Sequence, residues 1–381
     1  MNLVVIHPLP SRSNQRADQI ARSLVKIGNE VHLILWDVPY PTKLFFKNFF
    51  KSMSYKEYSK EGVFIHKIRR LPFFFPIVNK LMFKKQLKDI YEKYNIDAVI
   101  SESYINETLP PEGPELFYDF VDDHEAYAKF YGSKVYQLAF KLLAVNKTIV
   151  TQLKRSKSVI VVSDMIKNYA KKYNSNVYKI TNGVESWVLN KKFNRKKYDF
   201  GKHSLVYVSG FDYWSNLPNL LYSINELKKN IPDIKLVLVG DGFQIPEGKR
   251  IVEELNLKEN VIFFGKVVDR KELFEIVNSC NVCLNLSEKN PRQDSASSVK
   301  IFEYSALGKP IISTRLREVE LLKFPNIIFY KDKKDNSDLI RAIRASFNKK
   351  VNLNKMKSLV KKYTWENIAK EIEEIIRENK K

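Results

Sequence analysis

Apolar residues fall in short runs of four to six, and the stretches between them place apolar positions three and four apart. Runs with strand character are Leu3–Ile6, Glu30–Leu35, Asp97–Ile100, Glu115–Val121, Ser158–Val162 and Val177–Thr181. Helical spacing fills Gln15–Ile27, stopped by Gly28, then Lys134–Ser156, then Asp164–Tyr173 behind the capping Ser163. Strand, helix and strand within the first 35 residues make a βαβ unit and predict a parallel sheet. Residues 186–203 are polar, basic and without period, which predicts a linker. A second series follows: strands Leu205–Ser209, Lys235–Val239, Val261–Phe264 and Asn281–Leu286, with helices at 219–230, 246–255 and 270–278 between them. It ends in a loop, helix, turn and strand from Ser295 to Thr314. The pattern therefore predicts an α/β chain of two doubly wound, Rossmann-like domains, 1–185 and 204–364. A last amphipathic helix begins at Trp365 and carries Trp365, Ile368, Ile372, Ile375 and Ile376 on one face.

Residues 42–93 break this rhythm. Lys43–Lys51 sets Phe45, Phe46, Phe49 and Phe50 between single lysines, and Arg69–Lys85 sets Phe73, Phe74 and Phe75 between basic flanks. Rings edged by cations suit the headgroup boundary of an anionic membrane, or a lipid-borne acceptor. The alternative is an excursion of the core with lysines at its rim. The chain holds 65 Lys plus Arg against 43 Asp plus Glu, a net charge of +22, so its partners are expected among polyanions. Because the basic aromatic segments are confined to one excursion, a nucleic acid partner is not expected. No run reaches the ~20 apolar residues of a membrane span. The first residues read as a strand rather than a leader, so the expected place is the cytoplasm, peripheral at the inner membrane face. Cys280 and Cys283 form a lone C-x-x-C without a second ligand pair, which predicts buried thiols rather than zinc.

Candidate chemistry concentrates at strand ends. The loop Ser295–Ser298 leads into a helix whose first amides and dipole favour an anion such as a phosphate. Lys300 and Glu303, three apart, share one face there, a cation and a carboxylate suited to the phosphate and ribose of a nucleotide. The loop after the first strand offers Arg12, Asn14, Gln15 and Arg16, either to an anionic ligand or to the helix they begin. It lacks G-x-G-x-x-G, so a dinucleotide fingerprint is absent. Asp122, Asp123 and His124 sit where a strand gives out, the place for acid–base chemistry. With Glu125 they also suggest a metal site, against which stands the divergence of neighbouring side chains on extended backbone. Asn182-Gly183 marks a tight turn with close backbone approach.

Taken in order, Val162-Ser163, Ile180–Val184, Tyr207–Gly210, Val237–Gly242, Phe264-Gly265 and Lys300–Pro310 resemble the family 4 glycosyltransferases of the GT-B fold. The resemblance covers nearly the whole chain and is strongest from 158 to 314. It implies two domains facing across a cleft, the donor on the C-terminal side, the acceptor on the N-terminal side, and the final helix, 365–381, crossing back to the first domain. It also implies a UDP- or GDP-linked hexose donor, a glycan or lipid-linked acceptor, a retaining outcome and no metal or other cofactor. Glu303 matches the second carboxylate of the family's E-x7-E motif, which binds the ribose hydroxyls. Ser297, Ser298 and Val299 match the amides that meet the diphosphate, and Gly210, Gly240 and Gly265 the donor-side turns. The first carboxylate falls at Ser295, with Asp294 beside it. The Arg and Lys that many relatives carry are absent from Gly210–Asn216. The chain is similar to a subset with a Lys three residues before the Glu, so Lys300, or else Arg292, is implied to supply the phosphate charge. The family's acceptor-side His corresponds to His124 or to Asp122, and Arg12, Asn14, Arg16, Asn182 and Gly183 fall on the acceptor or cleft side. An inactive GT-B scaffold and a GT-B epimerase are the alternatives.

Overall fold

The computed structural model describes residues 1–8, 16–37, 56–69, 76–131, 133–142, 144–194, 197–331 and 335–379. The chain divides into two compact units, Met1–Thr181 with Trp365–Lys381, and Asn182–Thr364. The expected membrane-contact residues Phe45, Phe46, Phe49, Phe50, Phe73, Phe74 and Phe75 lie outside the described residues, as do Arg12 and Asn14.

The first unit is built on β1 (Asn2–His7), β2 (Glu30–Asp37), β3 (Lys56–Lys60), β4 (Val63–Arg69), β5 (Ala98–Ser101), β6 (Glu115–Phe120), β7 (Ser158–Val161) and β8 (Val177–Lys179). Among the described residues they form one sheet in the order β3-β4-β2-β1-β5-β6-β7-β8, parallel except for β3 against β4. Leu3, Val4, Val5 and Ile6 of β1 are all buried, the unbroken apolar run of a strand covered on both faces. Leu3, Val5, Ala98, Ile100 and Phe117 share one core with helix α1 (Arg16–Lys26) and with the last helix of the chain. Val4, Ile6 and Val99 meet Phe83 and Leu87 of α2 (Pro76–Tyr94) on the other. The last helix buries all five residues that its period singled out, and its Glu366 meets Lys26 of α1 at 2.7 Å.

The second unit repeats the plan. Its strands are β9 (Ser204–Val208), β10 (Lys235–Val239), β11 (Val261–Gly265), β12 (Val282–Asn285), β13 (Ile311–Thr314) and β14 (Ile327–Tyr330). They form an all-parallel sheet in the order β11-β10-β9-β12-β13-β14. Both cysteines are free and buried, as their setting between helix end and strand implies.

Some expectations fail in place. Residues 186–203 are not a linker: they carry a short helix, Ser186–Asn190, and Val188 and Phe200 enter the second unit's core beside Phe274. Polar spacing hid a few deeply seated apolar anchors. Asn182 and Gly183 accordingly fall in the second unit. The expected helix 134–156 is two helices, Lys134–Leu142 and Val145–Arg155, separated where Ala144 takes φ 50°. Within 42–93, the described part is a strand pair and a 19-residue helix, α2. Lysines on β3 mark a sheet edge, where charge discourages further pairing. Among the described residues no helix is long and apolar enough to cross a membrane.

Candidate functional site

In the second unit the carboxyl ends of β9 to β12 converge on the start of α4 (Val299–Ala306). Gly240 and Gly242 follow β10 with φ 131° and 155°. A Cβ on Gly240 would stand 1.8 Å from the Ser209 carbonyl oxygen, and one on Gly242 1.9 Å from that of Gly210. Only glycine allows this approach. The Gly240 amide donates to the Gly265 carbonyl at 2.8 Å, which joins two of the three expected glycines, while the third, Gly210, is approached by Gly242.

The loop before α4 is held from two sides. Ser298 Oγ donates to Asn285 Oδ1 of β12 at 2.8 Å, so it does not cap its own helix. The Asn182 amide donates to Ser297 Oγ at 3.0 Å, and its side-chain amide to the Ser297 carbonyl at 2.7 Å. Asn182, expected on the acceptor side with Gly183, thus holds the loop before α4. A rigid loop followed by helix amides without a side-chain cap is a seat for an anion.

Lys300 brings its ammonium 5.0 Å from the centre of the Tyr207 ring. It has no hydrogen-bond or ion-pair partner among the described residues. Burial pushes it down to about 8, and the nearby Glu303 opposes the fall. At neutral pH it remains mostly a cation. Arg292 lies over the Trp214 ring at 5.0 Å, near the same loop. Asp294, a neighbour of the missing first carboxylate, instead accepts the Arg317 amide at 3.0 Å.

Glu303 is buried, and its partner is one the sequence did not disclose. Arg270 opens α3 (Arg270–Ser279), whose N-cap Asp269 accepts the Glu272 amide. Its Nη2 donates to Glu303 Oε1 at 2.5 Å, while Nε and Nη2 grip Glu185 at 2.9 and 2.7 Å. Burial works against the Arg270 charge, but Glu303 and Glu185 hold it above its ordinary value. Burial likewise pushes the Glu303 carboxyl up, and Arg270 takes part of that shift back. No local pattern marks Arg270 or Glu185, which lie 33 residues before Glu303 and 85 before Arg270 in the chain.

The first unit places its candidates differently. Arg16 is buried: it donates to Asp119 Oδ2 at 2.8 Å, to the Thr181 carbonyl at 2.9 Å and to the Ile180 carbonyl at 3.1 Å. It is therefore a tie within the sheet edge rather than a contact for an anionic ligand. Asp123 caps the helix His124–Tyr131 by accepting the Ala126 amide at 2.9 Å. His124 stacks on Tyr104 with ring centres 3.8 Å apart, and Asp122 precedes it, exposed, two residues past the end of β6.

Residues 202–348 match the family model described as Glycosyl transferases group 1. The N-acetyl-alpha-D-glucosaminyl L-malate synthase of Bacillus anthracis is 20% identical over 324 residues, covering 82% of this chain and 78% of its own. Among solved structures, the sucrose-phosphate synthase of Thermosynechococcus elongatus superposes with TM-score 0.69 at 16% identity, covering 99% of this chain and 98% of its own. The Anabaena protein HepE, solved with UDP and glucose, gives 0.70 at 13%, covering 99% and 100%. Trehalose-6-phosphate synthase OtsA gives 0.71 at 12%, covering 99% of each. The architecture shared with these proteins is the GT-B fold.

Proposed function

We propose, from the premise that the chain is a glycosyltransferase of the GT-B fold using a nucleotide-sugar donor, that it is a retaining enzyme moving a hexose from a UDP- or GDP-sugar. Its acceptor in this reading is a lipid-linked or cell-envelope glycan. The observation that carries the donor assignment is Lys300: a half-buried cation without a hydrogen-bond or ion-pair partner among the described residues, beside a helix start that has no side-chain cap. The diphosphate takes the amides of Ser297–Val299 and the Lys300 charge, with Arg292 as the second cation. The ribose hydroxyls donate to Glu303, which Arg270 keeps oriented. As the glycosidic bond breaks, charge grows on the leaving diphosphate, and fixed amides and one cation are suited to stabilise it. UDP as the nucleotide is supported by HepE, solved with UDP and glucose. Asp122, Asp123 and His124 belong to the acceptor side of this reading.

Membrane contact is part of the proposal. It rests on α2, where Ile77, Val78 and Leu81 stand 74%, 42% and 62% exposed along a helix that also carries Lys80, Lys84, Lys85 and Lys88. An inactive scaffold is the second reading, favoured by Ser295 in place of a carboxylate and by the engagement of Asp294 with Arg317. Donor-dependent transfer that disappears in Glu303→Ala removes it.

A thermal-shift series with UDP, GDP, ADP, TDP and their sugars tests the donor site. A ligand present at a hundred times its Kd adds about 2.7 kcal/mol to the native state. A clear rise with UDP or GDP is expected, and a smaller one in Lys300→Ala. A flat response to every nucleotide sinks the reading.

A further inference from the structure

Residues 188–193, inside the stretch whose composition predicts a linker, help to wall a cavity. It holds about 460 Å³, the size of a small-molecule site, and every residue around it belongs to the second unit. The anion seat described above is at the start of α4. Leu307, Gly308, Lys309 and Pro310 leave the far end of that helix and enter β13, and all four line the cavity. So does Asn278, in the last turn of α3 before β12. The cavity is therefore at the amino ends of the strands, on the opposite edge of the sheet from Gly240, Gly265 and Lys300.

Three ties fix its walls. Lys309 is buried, and its ammonium donates to the Asn278 and Cys280 carbonyls at 2.5 and 2.7 Å, which completes the end of α3. The Asn278 side-chain amide donates to the Phe193 carbonyl at 3.3 Å and so holds the segment that follows the helix Ser186–Asn190. Gly308 takes φ 64°, and a Cβ on it would stand 2.7 Å from Leu353 Cδ1 and 3.3 Å from Leu353 Cα. With glycine there, the helix Leu353–Lys361 can begin against the turn that ends α4.

Phe193, Leu307, Val351 and Leu353 give the cavity apolar sides. Lys191, Lys192 and Lys357 complete it, the first two exposed and the third half-buried. Among the described residues no carboxylate lines it, in a chain with 43 Asp plus Glu. Lys191 lies over the Trp187 ring at 5.3 Å, while Lys192 and Lys357 have no hydrogen-bond, ion-pair or ring partner among the described residues. Lysines gathered without a counter-charge draw an anion, and concave apolar sides favour one that carries an organic body. A carboxylate brings a single charge to these lysines. A phosphate monoester brings nearly two at neutral pH, on three acceptor oxygens. We propose that this cavity is a second anion site, which binds a small phosphate monoester: the dianion meets Lys192 and Lys357, and the organic body lies against Phe193, Leu307 and Leu353. The site stands apart from the glycosyltransferase reading, since it shares no residue with the seat at the start of α4.

Isothermal titration of the full chain at pH 7.5 and low salt tests this with phenyl phosphate, inorganic phosphate and benzoate. Phenyl phosphate should bind saturably, about tenfold tighter than inorganic phosphate because of the ring it buries, and tighter than benzoate. Lys192→Gln combined with Lys357→Gln should weaken it at least tenfold, the loss of two charge pairs near a protein surface. Leu353→Asp is the second variant. It sets a carboxylate four residues before Lys357, at a helix start that tolerates acid, and should abolish binding. Lys300→Met and saturating UDP should each leave the affinity within about twofold. Should UDP bind nowhere, Lys300→Met alone makes that comparison. A probe displaced by UDP, or lost in Lys300→Met, sits at the start of α4, and the proposal fails. It fails equally if the ring adds nothing over inorganic phosphate, if benzoate binds as tightly, or if the lysine and Leu353 variants bind like wild type. Vesicles containing phosphatidic acid present the same head on a lipid. Binding to them, with silence toward phenyl phosphate, would assign the lysines to a membrane surface and overturn the site.

Discussion

The two units share one architecture and carry opposite chemistry at the same edge of their sheets. In the second, the strand ends offer donors: uncapped amides before α4, the Lys300 ammonium with no hydrogen-bond or ion-pair partner among the described residues, and a glutamate matched by Arg270. In the first, the strand ends hold buried acceptors: His7 Nε2, Glu102 Oε1 and Asp119 Oδ1, with Arg16 already engaged. A doubly wound sheet brings ligands to its carboxyl edge but does not choose them. The two edges differ in their local cation: Lys300 has no hydrogen-bond or ion-pair partner among the described residues, and Arg16 is tied to Asp119.

The largest effect expected from breaking the contrast is at Glu303. Glu303→Ala removes the group proposed to accept from the ribose hydroxyls and leaves Arg270 with Glu185 alone, so UDP affinity should fall by about 10²–10³-fold, roughly 3–4 kcal/mol. Isothermal titration reads this directly. The mirror change in the first unit, Glu102→Ala, should leave UDP affinity within about twofold if the two edges are independent. Equal losses from both would erase the distinction.

The units should also part company in acid. His32 Nδ1 and His66 Nε2 stand 2.9 Å apart in the first unit, both fully buried, and the second unit's His203 is partly exposed. Burial lowers His66 from 6.5 to about 4, and the His32 ring beside it adds to the fall. Glu30 on β2 and Glu57 on β3 favour the charged rings, and Lys93 on α2 opposes them. A depressed folded value means that the contribution is complete above pH 6.5 and is lost as pH falls toward 4. For His66 that loss is about 3 kcal/mol. Hydrogen exchange at pH 7.5 and 4.5 should show the strands β1 to β8 losing protection ahead of β9 to β14. His66→Phe should remove most of the difference, and simultaneous loss in both units would sink the idea.

What could be read from the chain, and what could not, follows the range of the interactions. Strands β9 to β13 were visible because each is an apolar run closed by glycine, asparagine or serine, a signal contained in a few residues. Lys300 and Glu303 were visible for the same reason, lying one helical turn apart. Arg270 with Glu303, and His7 with Glu102, were not. They meet only because strand order sets β11 and β1 where it does, and 33 and 95 residues separate the partners. Arg16 shows the converse error, since a loop arginine beside a strand end promises an anion until Asp119 is found beneath it. Composition misled between 186 and 203, where Val188 and Phe200 anchor an otherwise polar stretch.

A smaller effect sharpens the role of the free cation. The Lys300 ammonium titrates near 8, and only its charged form attracts the diphosphate. UDP affinity should therefore hold steady to about pH 8 and then fall by up to tenfold for each further unit. Lys300→Met should bind about ten- to a hundredfold more weakly at pH 7, with a flat profile above 8. A wild-type profile that stays level to pH 9.5 would remove Lys300 from the diphosphate.

The smallest effect separates orientation from mere stability. If Arg270 only braces the second unit, Arg270→Met will lower the melting temperature and weaken every nucleotide alike. If it also aims Glu303, the loss will depend on the sugar hydroxyls of the ligand. UDP and its 2′,3′-dideoxy analogue make the comparison, because the diphosphate end is the same in both. Wild-type protein should prefer UDP by roughly a hundredfold, the sum of two hydrogen bonds to a charged group. In Arg270→Met that preference should shrink by about tenfold, since Glu303, still buried but without its cation, has its carboxyl pushed further up and is aimed less firmly. Glu185→Gln is the control: it removes the competing carboxylate, leaves Arg270 to Glu303 and should keep the preference whole. An unchanged ratio in Arg270→Met would reduce the arginine to a brace, and with it the claim that the second unit's edge is held ready for a nucleotide before one arrives.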